Sequence, residues 1–329
     1  MRAWQVTRHG APREALELVD REVPEPGPGL LRIRVAAAAL GLPDLFMCRG
    51  SYALTPELPF TPGQELAGVV SAAGEGASAR VGERVMAVSA FFLGRGAFAE
   101  ECLALDDFAF GVSDGLSDAE AAGFTIPFHT AYVGLVRRAE LAQGETLLVL
   151  GGAGGTGSAA IQLASALGAR VLTTASGPAK AAFCRALGAD LVIDPREQDI
   201  AEAVREATGG RGVEVVYDPV GGGAFKAATR CIAHEGRVLI VGFASGEWGR
   251  PSAAHIATHN YSVLGVIPSA YDRSFRLAAQ QALMAHAREG RIRVPIHGTH
   301  PFEALPDALV ALEDRTVMGK SILDLRSRD

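Results

Sequence analysis

Between Thr146 and Ser158 the chain reads Thr-Leu-Leu-Val-Leu-Gly-Gly-Ala-Gly-Gly-Thr-Gly-Ser, a short apolar run that passes directly into a glycine-rich turn. Gly152, Gly154 and Gly157 hold the G-x-G-x-x-G spacing. In that spacing the first glycine permits a tight turn, the second lets a phosphate approach the backbone, and the third lets the following helix pack close to the strand. Gly155, Thr156 and Gly157 fall in the first helical turn, where free N–H groups and the positive end of the helix dipole favour an anion. Alone the spacing is a weak signal in a chain with 39 glycines, so its surroundings decide. Ala159, Ala160, Leu163, Ala164 and Leu167 recur at helical spacing, Gly168 supplies a stop, and Ala169 to Ala175 reads as a second buried strand. Strand, turn, helix and strand make a βαβ unit with a seat for a dinucleotide pyrophosphate.

The residues after the second strand bear on which dinucleotide. An NAD site places Asp or Glu about 20 residues beyond the glycine turn, to accept from the ribose 2′-OH. Here Thr174, Ala175, Ser176 and Gly177 are followed by Lys180. Ser176 can donate a hydrogen bond and Lys180 a charge to a 2′-phosphate, which favours NADPH; the alternative for Lys180 is a solvated lysine on a helix face. Arg196 is a second candidate cation.

The chain has 329 residues, enough for two domains. Its net charge of −6, from 37 acidic against 31 basic residues with no basic run, gives no footprint for nucleic acid or an anionic membrane and points to a small-molecule partner. Cys48, Cys102, Cys184 and Cys231 stand too far apart for a zinc ribbon or a small disulfide framework and read as reduced, buried thiols. The N-terminus lacks a signal-peptide core and no window reaches a membrane-length apolar run, so the expected location is the cytoplasm.

Up to about Leu105, short β-like runs broken by Gly and Pro (15–19, 30–38, 65–73, 83–88, 97–103) predict a small coiled β-rich domain. From about Ser117 the cadence becomes helix and strand in alternation, with strands at 147–150, 170–174, 191–193, 213–217 and 237–241 and a last one at 261–267. That alternation predicts a parallel sheet covered on both faces. An amphipathic helix near 273–289 and short runs at 292–294 and 321–325 read as a return to the first domain. The expected division is residues 1–120, 121–262 and 263–329. The open edge of the 261–267 strand would invite pairing with its twin, hence an expected homodimer.

Four blocks then become recognisable: Leu40 to Tyr52; Pro59 to Val70 with Val81 to Val85; the glycine turn; and Val213 to Gly222 with Val241 to Gly246. In these the chain resembles the medium-chain dehydrogenase/reductase superfamily, in its zinc-free NADPH:quinone oxidoreductase branch, related to ζ-crystallin. The resemblance implies an α/β fold made of a GroES-like β-rich catalytic domain and a doubly wound Rossmann domain. Zinc-dependent members carry a Cys in the first block and a His in the second. Here those stretches read Gly41-Leu42-Pro43-Asp44 and Gly63-Gln64-Glu65, so no metal is expected. His255 and His259 stand four apart without a third ligand.

The resemblance also implies that the nicotinamide end rests near Phe46, Thr130, Gly242, Phe243, Ala244, Ser245 and Val266, with Lys320 close by. For Phe46 and Phe243 ordinary core packing is the alternative. Without a metal, an electron-poor quinone or conjugated alkene is a better hydride acceptor than a simple ketone, in a cleft between the domains. Arg49-Gly-Ser-Tyr52 resembles a motif of enoyl-thioester reductases in which the Tyr delivers a proton; the alternative is that Tyr52 anchors its loop. Three functional readings stay open: a quinone or enone reductase, an enoyl-CoA or acrylyl-CoA reductase, and a non-catalytic NADPH-binding protein of the crystallin kind.

Overall fold

In the computed structural model, which describes residues 1–113 and 115–326, the chain forms two compact units: Met1–Ile126 with Val294–Asp329, and Pro127–Arg293. The first begins with β1 (Arg2–Val6), the short helix α1 (Pro12–Ala15) and β2 (Leu16–Asp20), which pairs antiparallel with β1. Next come β3 (Leu30–Ala39), α2 (Leu42–Cys48), β4 (Glu65–Ala73), β5 (Arg84–Ser89) and β6 (Glu101–Gly111). Each of β3 to β6 pairs antiparallel with the next, and β6 pairs again with β3, closing a small barrel. Alternation along β3 sends Leu31, Ile33 and Val35 inward, where they meet Leu66, Val70, Val85, Phe98 and Cys102 in one apolar cluster. The short helix α3 (Asp118–Ala122) follows.

The second unit starts within α4 (Thr125–Tyr132). Its strands and helices alternate: β7 (Thr146–Val149), α5 (Gly155–Ala166), β8 (Arg170–Thr174), α6 (Pro178–Ala186), β9 (Leu191–Ile193), α7 (Ile200–Ala207), β10 (Val213–Asp218), α8 (Gly222–Thr229), β11 (Ile232–Ile240), α9 (Ala253–His259), β12 (Ser262–Gly265) and α10 (Arg273–Arg288). All six strands are parallel, in the order β12-β11-β10-β7-β8-β9. The order turns back between β10 and β7, as in a Rossmann sheet, and β12 is an edge. Leu148, Leu172, Val216 and Val238 are fully buried, which is why these strands read as unbroken apolar runs.

The chain then returns to the first unit with β13 (Ile296–Pro301), α11 (Leu305–Glu313) and β14 (Lys320–Asp324), and β14 pairs antiparallel with β3 at Ala37, Ala38 and Ala39. The helix read from the sequence as part of this return, α10, instead belongs to the second unit. There its buried Gln280 bonds to His129 of α4 at 2.8 Å, so the division falls at Arg293 and not at 262. The strand read as ending at Leu103 runs on to Gly111, while residues 292–294 form no strand. Among the described residues no helix is long and apolar enough to cross a membrane, and all four cysteines are buried and free.

One charged contact holds the returning strand. Lys320 Nζ reaches Glu65 Oε2 at 2.7 Å with both side chains buried, and Glu65 Oε1 accepts the Ile126 N–H at 2.7 Å. Replacing Lys320 by Met strands a carboxylate in a dry interior, and we expect a loss of about 3–5 kcal/mol in urea unfolding. Adding Glu65→Gln, which keeps the acceptor for Ile126, should recover part of it; a single variant as stable as the parent would show that the pair is dispensable.

Candidate functional site

The C-terminal ends of the parallel strands gather most of the residues singled out in the sequence. After β7 the chain turns at Gly151, whose φ of +65° suits glycine, and its N–H donates to Thr174 Oγ1 at 2.9 Å. The tight turn is therefore made one residue before the Gly152 expected to make it. Gly152 is required by closeness instead, because a Cβ there would collide with Thr173 Oγ1. Gly157 likewise has no room for a Cβ against the Gly151 carbonyl, so α5 packs hard onto the turn. Gly154 differs from both: it is exposed, and the nearest atom to a Cβ there is the Gly151 oxygen at 3.6 Å.

Gly154 is also the N-cap of α5, and no side chain among the described residues caps the helix. The first intrahelical donor is Ser158, to the Gly154 oxygen at 2.8 Å. The N–H groups of Gly155, Thr156 and Gly157 thus have no helical acceptor. Open space over Gly154 beside three such amides fits a pyrophosphate.

Beside this turn, Asp218 ends β10 with one oxygen accepting the Val220 and Gly221 N–H groups, each at 2.8 Å, and the other buried without a partner among the described residues. Burial raises its carboxyl, against those two amides. The segment after β11 is laid on the same loop: Val241 and Gly242 donate to the Asp218 carbonyl, Ala244 to Pro219 and Ser245 to Val220, at 2.9–3.2 Å. Phe243 packs tilted against Trp248 with ring centroids 4.6 Å apart, and Val266, just past β12, donates to Ile240. Gly242, Phe243, Ala244, Ser245 and Val266 therefore share one sheet edge with the glycine turn.

Ser176 and Lys180 follow β8 on that edge, where the structure adds a carboxylate the sequence reading did not find. Asp194, arriving from the end of β9, accepts the Gly177 N–H at 2.7 Å and Arg196 Nη2 at 2.7 Å. The Arg196 guanidinium, then the Gly177 amide, hold its carboxyl well below the usual range. Asp194 is thus committed to fixing Arg196 beside Ser176 and Gly177. Thr130 is buried on α4, next to His129, which burial pushes down to about 4.

In the first unit Phe46 is half-buried on α2, and the Lys320 ammonium is tied to Glu65. A buried polar centre lies around Lys320. Asp44, 1% exposed, accepts the Gly41 N–H at 2.8 Å and the Gly63 N–H at 3.1 Å. Burial pushes its carboxyl up to about 7, against the Gly41 amide, the Lys320 ammonium and the Gly63 amide. Asp44 thus caps the start of α2 and also ties it to the loop at Gly63. Tyr52 is half-buried, and burial raises its phenol while a hydrogen-bonding interaction with Gln64 lowers it. No group of three or more His, Cys, Asp or Glu able to hold a metal occurs among the described residues. His255 and His259 stack at 3.9 Å.

Residues 27–114 match the family model described as alcohol dehydrogenase GroES-like domain, and residues 155–284 the one described as zinc-binding dehydrogenase. The chain is 32% identical to quinone oxidoreductase-like protein 2 of Bos taurus over 316 residues, which is 94% of this chain and 89% of that protein. It is 33% identical to human quinone oxidoreductase over 244 residues, 74% of this chain and 73% of the other. The crystal structure of Escherichia coli quinone oxidoreductase complexed with NADPH superposes with a TM-score of 0.91 at 29% identity, covering 98% of this chain and 100% of that one.

Asp44 gives this centre a pH signature. Below about pH 4 the carboxyl is neutral folded or unfolded. From there to about 7 the folded chain keeps a proton that the unfolded chain has released. Stability should fall across that window by up to about 1.4 kcal/mol per pH unit and level off above it. Urea unfolding of Asp44→Asn should lack this slope; an unchanged slope would assign it to another group.

Proposed function

Because the chain belongs to the zinc-free quinone oxidoreductase branch of the medium-chain dehydrogenase/reductase superfamily, we propose that it is an NADPH-dependent reductase acting on a quinone or an α,β-unsaturated carbonyl. The observation that carries this reading is the uncapped start of α5 beneath the open face of Gly154, a backbone seat for the pyrophosphate. Arg196, fixed by Asp194 beside Ser176 and Gly177, together with Lys180, supplies positive charge for a 2′-phosphate. The loop Gly242 to Ser245 and Val266 stand on the same edge to receive the rest of the cofactor, which supplies hydride when bound. Tyr52, kept protonated at neutral pH, is the proton donor of this scheme.

The acyl-CoA alternative wants a basic groove for the CoA phosphates and draws less support, since Arg49, Arg95 and Arg273 are scattered along the sequence and Arg49 is paired with Glu313. Pairing of two copies along the edge strand β12 belongs to the proposal, and sedimentation should return the mass of a dimer.

NADPH oxidation measured against quinones, enones and acyl-CoA thioesters tests the reading: turnover should appear with the first two and exceed that with NADH. Two glycine variants separate binding from folding. Gly154→Ala has room for its methyl group, so it should melt like the parent yet bind NADPH about tenfold more weakly, as expected for loss of one charge-assisted contact. Gly157→Ala should lose stability as well, because its methyl meets the Gly151 carbonyl. NADPH affinity unchanged in Gly154→Ala would remove the pyrophosphate from this turn.

A further inference from the structure

Within the first unit, the backbone at Gly63 and Gln64 is held from every side. The Gly63 N–H donates to Asp44 Oδ1 at 3.1 Å, and the Gly63 carbonyl accepts from Ala97 N at 2.8 Å and Ser89 Oγ at 2.6 Å. The Gln64 carbonyl accepts from Ser89 N at 2.9 Å. Gly63 has φ +104°, and a Cβ there would come within 2.7 Å of the Phe98 nitrogen, so no larger residue could replace it and leave the loop in place.

This clamp carries a side chain whose own needs are unmet. Gln64 is 7% exposed, and its Nε2 is buried with no hydrogen-bond partner among the described residues. Interiors rarely leave such a donor without an acceptor, and those that do call for an explanation. The neighbouring phenol of Tyr52 senses Gln64, yet the amide nitrogen has no well-formed bond to it. The Gln64 amide and the Tyr52 phenol thus lie within reach of each other, the amide carried on the loop fixed at Gly63.

We propose that Gln64 Nε2 and Tyr52 Oη together receive the carbonyl oxygen of the substrate, making Gln64 a catalytic residue. The proposal rests on the reductase reading above and specifies its acceptor as a conjugated carbonyl. A hydride delivered to the β-carbon of an enone forms a C–H bond there and shifts the C=C electron pair toward the carbonyl, so negative charge collects on that oxygen. The Gln64 N–H strengthens its hydrogen bond as the charge develops. The oxygen takes the Tyr52 proton, giving an enol that tautomerises to the saturated ketone, and the phenolate regains a proton from solvent. Asp44 and Ser89 fix the loop backbone beforehand, so only the Gln64 side chain, whose amide nitrogen is covered in the free protein, has to turn toward the oxygen.

The test uses Gln64→Met, close in volume and lacking the donor, with Tyr52→Phe and the double variant. Removing one such donor should lower kcat/KM for enones and quinones about a hundredfold. NADPH affinity should be unchanged. A purely structural Gln64 would lose stability in Gln64→Met, whereas removing an unmet buried donor should leave the melting temperature equal or higher. A second readout needs no turnover: 4-nitrophenol, whose phenolate absorbs in the visible, should bind the parent as phenolate with a lowered pKa, and Gln64→Met should abolish that shift. Undiminished kcat/KM in Gln64→Met, or the same nitrophenol spectrum in parent and variant, would overturn the proposal. A nitrophenol shift without turnover of any enone or quinone would instead retain the donor pair and reject the reductase reading.

Discussion

The arrangement of the first unit's polar centre depends on a carboxylate that water scarcely reaches. Asp44 uses one oxygen for the Gly41 amide at the start of α2 and the other for the Gly63 amide, 19 positions beyond Asp44 in the chain. A carboxylate buried to this degree resists ionisation unless donors surround it, and these do so incompletely, which leaves it near neutrality at about 7. Placing a titratable group here would be costly if its purpose were stability alone. An apolar side chain would avoid the buried charge but leave the Gly41 and Gly63 N–H groups without their acceptor.

The two units solve the problem of binding charge in different ways. In the second unit the work falls to the backbone: amides at the start of α5, carbonyls and amides after β10 and β11, and glycines whose missing side chains open the approach. Such a site is set by the fold itself and tolerates variation in the side chains around it. The first unit relies on side chains, Asp44, Gln64, Glu65, Lys320 and Tyr52, each positioned by the others or by the barrel. On the proposed reading, substitution there is what would alter which acceptor a related reductase takes.

Much of this was legible in the sequence, and the exceptions have physical causes. The parallel sheet could be read because its strands are buried on both faces, so Leu147 to Val149 or Val215 to Tyr217 carry no polar interruption. The glycine turn was found by spacing, but spacing cannot tell a glycine needed for its φ from one needed for closeness. Gly151 proved to be the first kind and Gly152 the second. Asp194 escaped notice because it reaches the Ser176 loop from the next strand, 17 positions from Gly177 in sequence and adjacent only once β8 and β9 pair. Likewise α10 has the amphipathic pattern of either unit. The buried Gln280 to His129 contact and the Tyr132–Phe275 ring pair join it to the second unit.

Gln64 shows the limit of pattern most plainly. As a residue type it carries no catalytic signature, and in the sequence it marks only the place where zinc-dependent relatives have a metal ligand. What gives it meaning is a deficit: a donor left unmet in a dry interior costs the free protein about 1–3 kcal/mol. A cost of that size persists where the surroundings over-determine the local backbone, and the clamp on Gly63, with Asp44, Ser89 and Ala97 all engaged, is such a setting. An acceptor oxygen entering this centre would relieve the deficit as it binds. It would relieve more of it as the oxygen gains charge, which is the direction in which a hydrogen bond lowers a barrier and does more than tighten binding.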